Sequence, residues 1–154
     1  PLGADTVARY KYVSRNGRID GYYSGYTFAN QLGVITQVPY TLEIVSNNAS
    51  AKVQEVNLQG RKVILRKAKI PVTKENYKIL QFLDFLKDVE LYMDKNNEVY
   101  IDRIKRYIVD EQICKMDVDF YIRQYPDRIY RSIHEMGLYE FLYSDKGLAK
   151  MSVL

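Results

Sequence analysis

The spacing of apolar residues changes near residue 72, from a period of two to a period of 3.6. Before this point, short alternating runs separated by Gly and Asn turns predict strands, with one short helix over Phe28–Leu32. After it, wide apolar stripes predict three to four helices, beginning with the stripe that includes Ile79, Phe82 and Leu86. Strands followed by helices predict an α+β fold, with a small mixed or antiparallel sheet and a C-terminal bundle of three to four helices.

Four parts of the first half are predicted to be extended, and two of them are Gly21–Tyr23 and Thr41–Val45. Over Ala8–Val13, apolar residues alternate with basic ones, which predicts a strand with one wet face. Ala51–Asn57 and Arg61–Ile70 predict a hairpin whose turn contains Gly60 at positive φ. Apolar and basic residues occur on both faces of this hairpin, so we expect it to be twisted and only partly covered.

Capping residues mark the ends of the predicted helices. Ser24 or Thr27 is expected to cap the short helix, and Gly33 is expected to end it in the left-handed conformation. Thr73 is the expected N-cap of the first helix in the second half, and Gly137 is expected to end the last helix.

A chain of 154 residues fits one domain, with or without a small appendage. The change of periodicity divides it into residues 1–71, a β-rich half with one short helix, and residues 72–154, a helical half. We expect the two halves to pack as one unit.

The positive charge is concentrated in the hairpin. Residues 52–74 contain seven basic residues and one acidic residue, a local charge of +6, so the rest of the chain carries −2. A two-stranded ribbon with such charge can bind the phosphates of a nucleic acid. The predicted nucleic-acid or partner-binding residues are Arg61, Lys62, Arg66, Lys67 and Lys69, with Arg9 and Lys11 from the first strand. An acidic protein surface, or solvation alone, would also account for this charge.

Residues for catalysis are poorly represented. His134 is the only histidine and Cys114 the only cysteine, which excludes a cluster of histidines around a metal and an internal disulfide. Asp84 and Asp88 have helical spacing and could hold Mg²⁺, but the neighbouring Lys87 favours ordinary ion pairs. We therefore expect no catalytic residues, no metal and no cofactor, and a protein that is not an enzyme.

The cellular location is predicted from two further features. A single cysteine fits a reducing compartment. No apolar stretch approaches the roughly 20 residues that a membrane span needs, and no secretory signal begins the chain. We expect a cytoplasmic protein without a membrane partner.

Five short motifs occur in a distinctive order, and together they resemble one family. They are Ser24-Gly25, Phe28–Gln31, Leu32-Gly33, Thr36–Pro39 and the basic strand Arg61–Lys69. This order is similar to the region after the winged helix in AbiEi-type antitoxins of bacterial type IV toxin–antitoxin systems. The resemblance covers about residues 20–90 and implies a transcriptional regulator that represses its own operon. It also implies that the protein counters a nucleotidyltransferase-like toxin without lasting contact.

The winged helix itself is not expected here, since nothing ahead of Ser24 could supply its helices and hairpin. Contact with operator DNA would then use either that missing domain or the basic hairpin. The first hypothesis is therefore the antitoxin effector region of such a regulator. The alternative is a stand-alone nucleic-acid-binding module, and a third, less favoured, is an enzyme of phosphoryl transfer.

Overall fold

The structure is a computed structural model, and it describes residues 2–143. The first half begins with helix α1 (Ala4–Ala8), which continues into a π-helical turn (Arg9–Val13). Its other elements are β1 (Ser14–Arg15), β2 (Arg18–Ile19), β3 (Gly21–Tyr23), α2 (Gly25–Leu32), β4 (Leu42–Ser46), β5 (Val53–Leu58) and β6 (Arg61–Lys67).

Helices make up the second half. They are α3 (Tyr77–Lys87), α4 (Glu98–Asp110), α5 (Lys115–Tyr121), α6 (Arg128–Glu135) and α7 (Tyr139–Tyr143), with 3₁₀ turns at Val89–Leu91 and Ile122–Gln124. The predicted α+β class is confirmed, and the C-terminal bundle includes the short α7 in addition to the four longer helices. No helix among the described residues is long and apolar enough to cross a membrane.

The four-stranded sheet is mixed, with the strand order β3-β4-β6-β5. Strands β4 and β6 are parallel, with Ile44 opposite Leu65, whereas β3 and β5 are antiparallel to their neighbours. The β5–β6 hairpin closes through Gln59 and Gly60, both at positive φ (53° and 84°), as a two-residue type I′ turn requires. The predicted hairpin is confirmed, although its second strand ends at Lys67.

One face of this sheet is covered by the N-terminal helical segment. Leu42, Ile44, Val63 and Leu65 form an apolar cluster with the fully buried Ala8. Tyr12 and Val13 pack against the same cluster, four and five residues after Ala8. This spacing places them on one side of a π-helical turn, so the predicted strand over Ala8–Val13 is wrong.

The other face of the sheet packs on α3. Tyr22 and Val45 are buried with Leu80, and the Tyr22 hydroxyl donates a hydrogen bond to Asp84 at 2.7 Å. Helix α2 extends this contact, because the Phe28 ring packs edge-to-face against both Phe85 and Tyr107. The main apolar core therefore contains residues from both halves of the chain.

The predicted helix ends are partly confirmed. Gly33 and Gly137 have positive φ (83° and 66°) at the ends of α2 and α6, as expected. Thr73 lies one turn before α3 rather than at its cap. There, the Thr73 hydroxyl accepts from the Asn76 N–H at 3.2 Å, and the Asn76 side chain accepts from the Thr73 N–H at 2.7 Å. Asn76 is the N-cap residue of α3.

Candidate anion-binding interface

The strand β6 divides the predicted basic residues between the two faces of the sheet. Val63 and Leu65 are fully buried on the face that α1 covers. Strand alternation places Arg61 and Lys67 at the ends of that same face, and Lys62 and Arg66 on the opposite one. The ribbon therefore does not present one continuous row of cations.

Three of these cations are neutralised inside the molecule. Their carboxylate partners are Asp5 for Arg61 (3.8 Å), Glu55 for Lys62 (2.9 Å) and Glu43 for Arg66 (3.0 Å). Arg61 also donates to the Pro39 carbonyl at 3.3 Å. Asp5 and Glu43 are distant in sequence from β6, so the local charge count over residues 52–74 could not include them.

Glu43 links the sheet to the start of α2. Its carboxylate accepts a hydrogen bond from the Tyr26 N–H at 2.8 Å and also pairs with Arg66. Its backbone N–H donates to the Thr27 hydroxyl at 2.9 Å. A carboxylate at this position satisfies an unpaired N–H and the positive end of the helix dipole. Ser24 is the N-cap residue of α2, as predicted, but its side chain makes no capping hydrogen bond, and the Glu43 carboxylate accepts from the first turn in its place.

A sequence signal for Glu43 does exist. It is the only charged residue of β4, between the buried residues Leu42 and Ile44. A charged side chain in such a strand normally has a specific partner. The Ser24 hydroxyl, in contrast, is buried without a hydrogen-bond partner among the described residues.

Arg9 and Lys11 are exposed on the π-helical turn and not on a strand. Arg9 lies near Tyr23: burial raises the pKa of the Tyr23 hydroxyl, and the positive charge of Arg9 opposes this rise. The Lys11 carbonyl accepts a hydrogen bond from the Asn48 side chain at 3.1 Å. The two bases therefore have different surroundings.

The turn after β4 brings several lysines together. Lys67 donates through its ammonium to the Asn47 carbonyl at 2.7 Å and through its backbone N–H to the Lys52 carbonyl at 3.0 Å. We call Lys11, Lys52, Lys67 and Lys69 the lysine cluster. All four are exposed, and none has a carboxylate partner among residues 2–143. Lys52 was counted in the local charge but not predicted as a site residue.

The two acids considered for Mg²⁺ belong to an ion-pair network between α3 and α6. The Lys87 ammonium lies 3.1 Å from Asp84 and 2.8 Å from Asp88, and Arg128 lies 2.7 Å from Asp88. Burial alone would raise the pKa of Asp88, but the hydrogen bonds from Lys87 and Arg128 outweigh it and hold that pKa below its ordinary value. Cations already occupy these two carboxylates.

The remaining candidates for chemistry are dispersed. His134 is exposed in a surface depression of about 650 Å³ that Lys95 and Glu135 also line. Cys114 is exposed at the N-cap of α5. Within residues 2–143, no group of three or more His, Cys, Asp or Glu side chains could hold a metal ion.

Comparisons with known proteins add no family to this description. No family model, no curated protein and no solved structure matches the chain.

Proposed function

We propose that this chain is the antitoxin effector region of an AbiEi-type transcriptional regulator, acting without catalysis against a nucleotidyltransferase-like toxin. The observation that carries the proposal is the position of Glu43, where several of the motifs behind the family resemblance meet. Ser24-Gly25 begins the helix whose first turn Glu43 caps, and Arg66 of the basic strand binds the same carboxylate. Motifs that are separate in sequence therefore form one hydrogen-bonded unit.

The loop that contains Thr36–Pro39 belongs to this unit as well. The Asn30 side chain donates to the carbonyls of Ile35 and Gln37, at 3.0 and 3.3 Å. Arg61 holds the loop from the other side through the Pro39 carbonyl. The motifs contact one another in the folded chain. Members of one family are expected to share such contacts, so the contacts support the resemblance.

Growth rescue tests the proposal directly. The proposal predicts a nucleotidyltransferase-like gene beside the gene for this chain. When the chain is co-expressed with the product of such a gene, we expect growth to be restored. The matched control is Gly21→Val, because a Cβ at Gly21 would lie 2.4 Å from the carbonyl oxygens of Tyr12 and Val45 and prevent folding. Folded wild-type protein that fails to restore growth would contradict the antitoxin assignment.

The absence of catalysis is tested separately. Purified chain is expected to turn over neither nucleotides nor phosphoesters, since the paired acids Asp84 and Asp88 are held by Lys87 and Arg128. Turnover that disappears in Asp84→Asn, with an unchanged melting transition, would be evidence for an enzyme.

The alternative function, a nucleic-acid-binding module, has weaker support along the ribbon than the charge count suggested. Arg61, Lys62 and Arg66 each have a carboxylate partner within the chain. The lysine cluster keeps its charge uncompensated, so this is where nucleic-acid binding finds structural support.

A further inference from the structure

We propose that the lysine cluster at the carboxyl ends of β4 and β6 binds the phosphates of a nucleic acid. The inference goes beyond the antitoxin assignment and does not depend on it. It places the contact at one end of the sheet, formed by Lys11, Lys52, Lys67 and Lys69, instead of along the ribbon.

The first observation is a pair of like charges on neighbouring strands. Extending the β5–β6 register by one residue from Val53 and Arg66 places Lys52 directly opposite Lys67. The hydrogen bond from the Lys67 N–H to the Lys52 carbonyl, 3.0 Å long, agrees with this position. Like charges directly opposite each other destabilise a sheet, and no carboxylate among the described residues offsets them here. A bound phosphate group would offset the charges of Lys52 and Lys67.

The second observation is that the turn after β4 holds the other two lysines at the same place. The Asn48 side chain donates to the Lys11 carbonyl at 3.1 Å. The Asn47 side chain makes two hydrogen bonds of 2.9 Å with the backbone of Val72, so the chain from Lys67 to Val72 wraps around this turn and includes Lys69. The backbones of Lys11, Lys52 and Lys67 are therefore held by hydrogen bonds, Lys69 lies in the segment that wraps around the turn, and all four residues are exposed.

Among residues 2–143, the acid that hydrogen-bonds to this turn, Asp20, is already engaged. Asp20 accepts from the Asn48 side chain at 3.3 Å and forms an ion pair with Arg18 at 2.9 Å. It therefore leaves the local charge of the lysine cluster at about +4, one per ammonium group at neutral pH. Elsewhere on the hairpin, carboxylates from α1, β4 and β5 neutralise the cations. At the end of the hairpin that carries Lys52 and Lys67, no carboxylate of the described residues neutralises the cations.

The composition of the surface favours nucleic acid over an acidic protein. Protein interfaces are depleted in lysine and depend on apolar and aromatic anchors, whereas lysine commonly binds phosphates as a point charge. Val53, which follows Lys52, points to the opposite face of the sheet by strand alternation. The Arg15 guanidinium lies over one face of the Tyr10 ring at 4.7 Å, and this ring, beside Lys11, stays 48% exposed. Apart from this half-exposed ring, the lysine cluster has charge without an apolar anchor.

Two variants of equal charge test the proposal. The first replaces the four lysines of the cluster by glutamine, and the control replaces Lys78, Arg106, Lys115 and Arg123, which all lie in the helical half, by glutamine. Each variant lowers the formal net charge from +4 to 0. Binding to a short DNA duplex, to single-stranded RNA and to polyglutamate is measured over a range of salt concentrations, and thermal melting checks that both variants fold.

For wild-type protein on the duplex, we expect log affinity to fall with log salt at a slope of about −3.6, the value for four phosphate contacts. The cluster variant should lose at least about tenfold in affinity at low salt and nearly all of this slope. The control should keep the slope. Whichever of DNA and RNA binds more tightly identifies the nucleic acid that supplies the phosphates.

Three results would overturn the proposal. They are the absence of binding to both nucleic acids, an equal loss of affinity in the two variants, and binding of polyglutamate as tight as that of nucleic acid. If the cluster variant binds nucleic acid poorly but still restores growth beside the toxin, the site is separate from the antitoxin function. Failure of the antitoxin assignment would leave the binding result unchanged.

Discussion

Gly25 shows how a single residue determines the arrangement around Glu43. It has φ of +55°, and a Cβ at this position would lie 2.3 Å from the carboxylate oxygen that caps α2. Glycine is therefore needed twice, once for the backbone conformation and once for the close approach of the carboxylate. The close approach of the Glu43 carboxylate therefore explains why the Ser24-Gly25 motif has glycine at its second position.

We predict that Gly25→Ala lowers the free energy of unfolding by about 2–3 kcal/mol, since the substitution strains the backbone and displaces a capping carboxylate. The matched control is Gly17→Ala, where φ is +82° but nothing lies within 4 Å of the added Cβ. This control should lose only about 1 kcal/mol. Urea denaturation of both variants is the measurement, and equal losses would show that Glu43 does not restrict Gly25.

At the scale of elements, α3 and α6 are joined by charge as well as by apolar packing. Lys87 is the last residue of α3, and Asp88 is its C-cap residue. Arg128 is the first residue of α6. Arg128 donates to the Lys87 carbonyl at 2.7 Å in addition to its ion pair with Asp88. One side chain of α6 thus binds the C-terminal end of α3, where the helix dipole favours a cation.

This link predicts a dependence of stability on pH. The pKa of Asp88 lies below its ordinary value in the folded protein, so its ionised form stabilises the fold above about pH 4 and this contribution is lost as the pH falls further. We expect Asp88→Asn to cost about 1 kcal/mol at neutral pH and much less at acid pH. Chemical denaturation at several pH values measures the difference.

A control for the acid effect is available on α4. Asp102 is exposed and makes no ion pair among the described residues. We expect Asp102→Asn to change stability equally little at neutral and acid pH. If Asp88→Asn behaved in the same way, the contacts of Asp88 with Lys87 and Arg128 would contribute nothing measurable.

For the whole molecule, Phe28 is one of the residues that join the sheet half to the helical half. It is buried on α2 and contacts Phe85 of α3 and Tyr107 of α4, with ring centroids 5.9 and 5.6 Å away. We predict that Phe28→Ala destabilises the protein by about 3–5 kcal/mol, the usual cost of removing a buried aromatic ring. Since Tyr22 and Val45 of the sheet still pack on Leu80 of α3, the variant should still unfold in one transition.

Far-UV circular dichroism during denaturation tests this prediction. Val38→Ala serves as the control, because Val38 is 73% exposed and should tolerate truncation. Two separate transitions in Phe28→Ala would mean that residues 1–71 and 72–154 fold independently, contrary to the expectation of one unit.

The tyrosines give a second prediction for the whole molecule. Burial, aided for Tyr22 and Tyr125 by the negative charge of Asp84, raises the pKa of Tyr22, Tyr107 and Tyr125 above the ordinary value of 10.0. Their neutral forms stabilise the fold below about pH 10, and this contribution is lost as the pH rises beyond it. We expect phenolate absorbance to show a cooperative step that coincides with alkaline unfolding. Independent titration of all tyrosines before unfolding would contradict it.

The sequence alone determined the local structure wherever a residue has a strong conformational preference. Gly33 and Gly137 end helices because glycine accepts positive φ, and Gly60 closes the hairpin for the same reason. The periodicities before and after residue 72 distinguished sheet from helices, since burial of one face imposes the spacing of apolar residues. These features depend on neighbours in sequence, which is why the α+β class could be predicted.

Only the tertiary structure decided the conformation of Ala8–Val13 and which basic residues of the hairpin form ion pairs. Alternating residues there fit a strand, but packing of Ala8, Tyr12 and Val13 on the sheet favours a helical turn. The charge of residues 52–74 was correctly counted, yet Asp5 and Glu43 neutralise part of it from elsewhere in the chain. Ion pairs form between side chains that the fold brings within a few ångströms, and a sequence does not contain those distances.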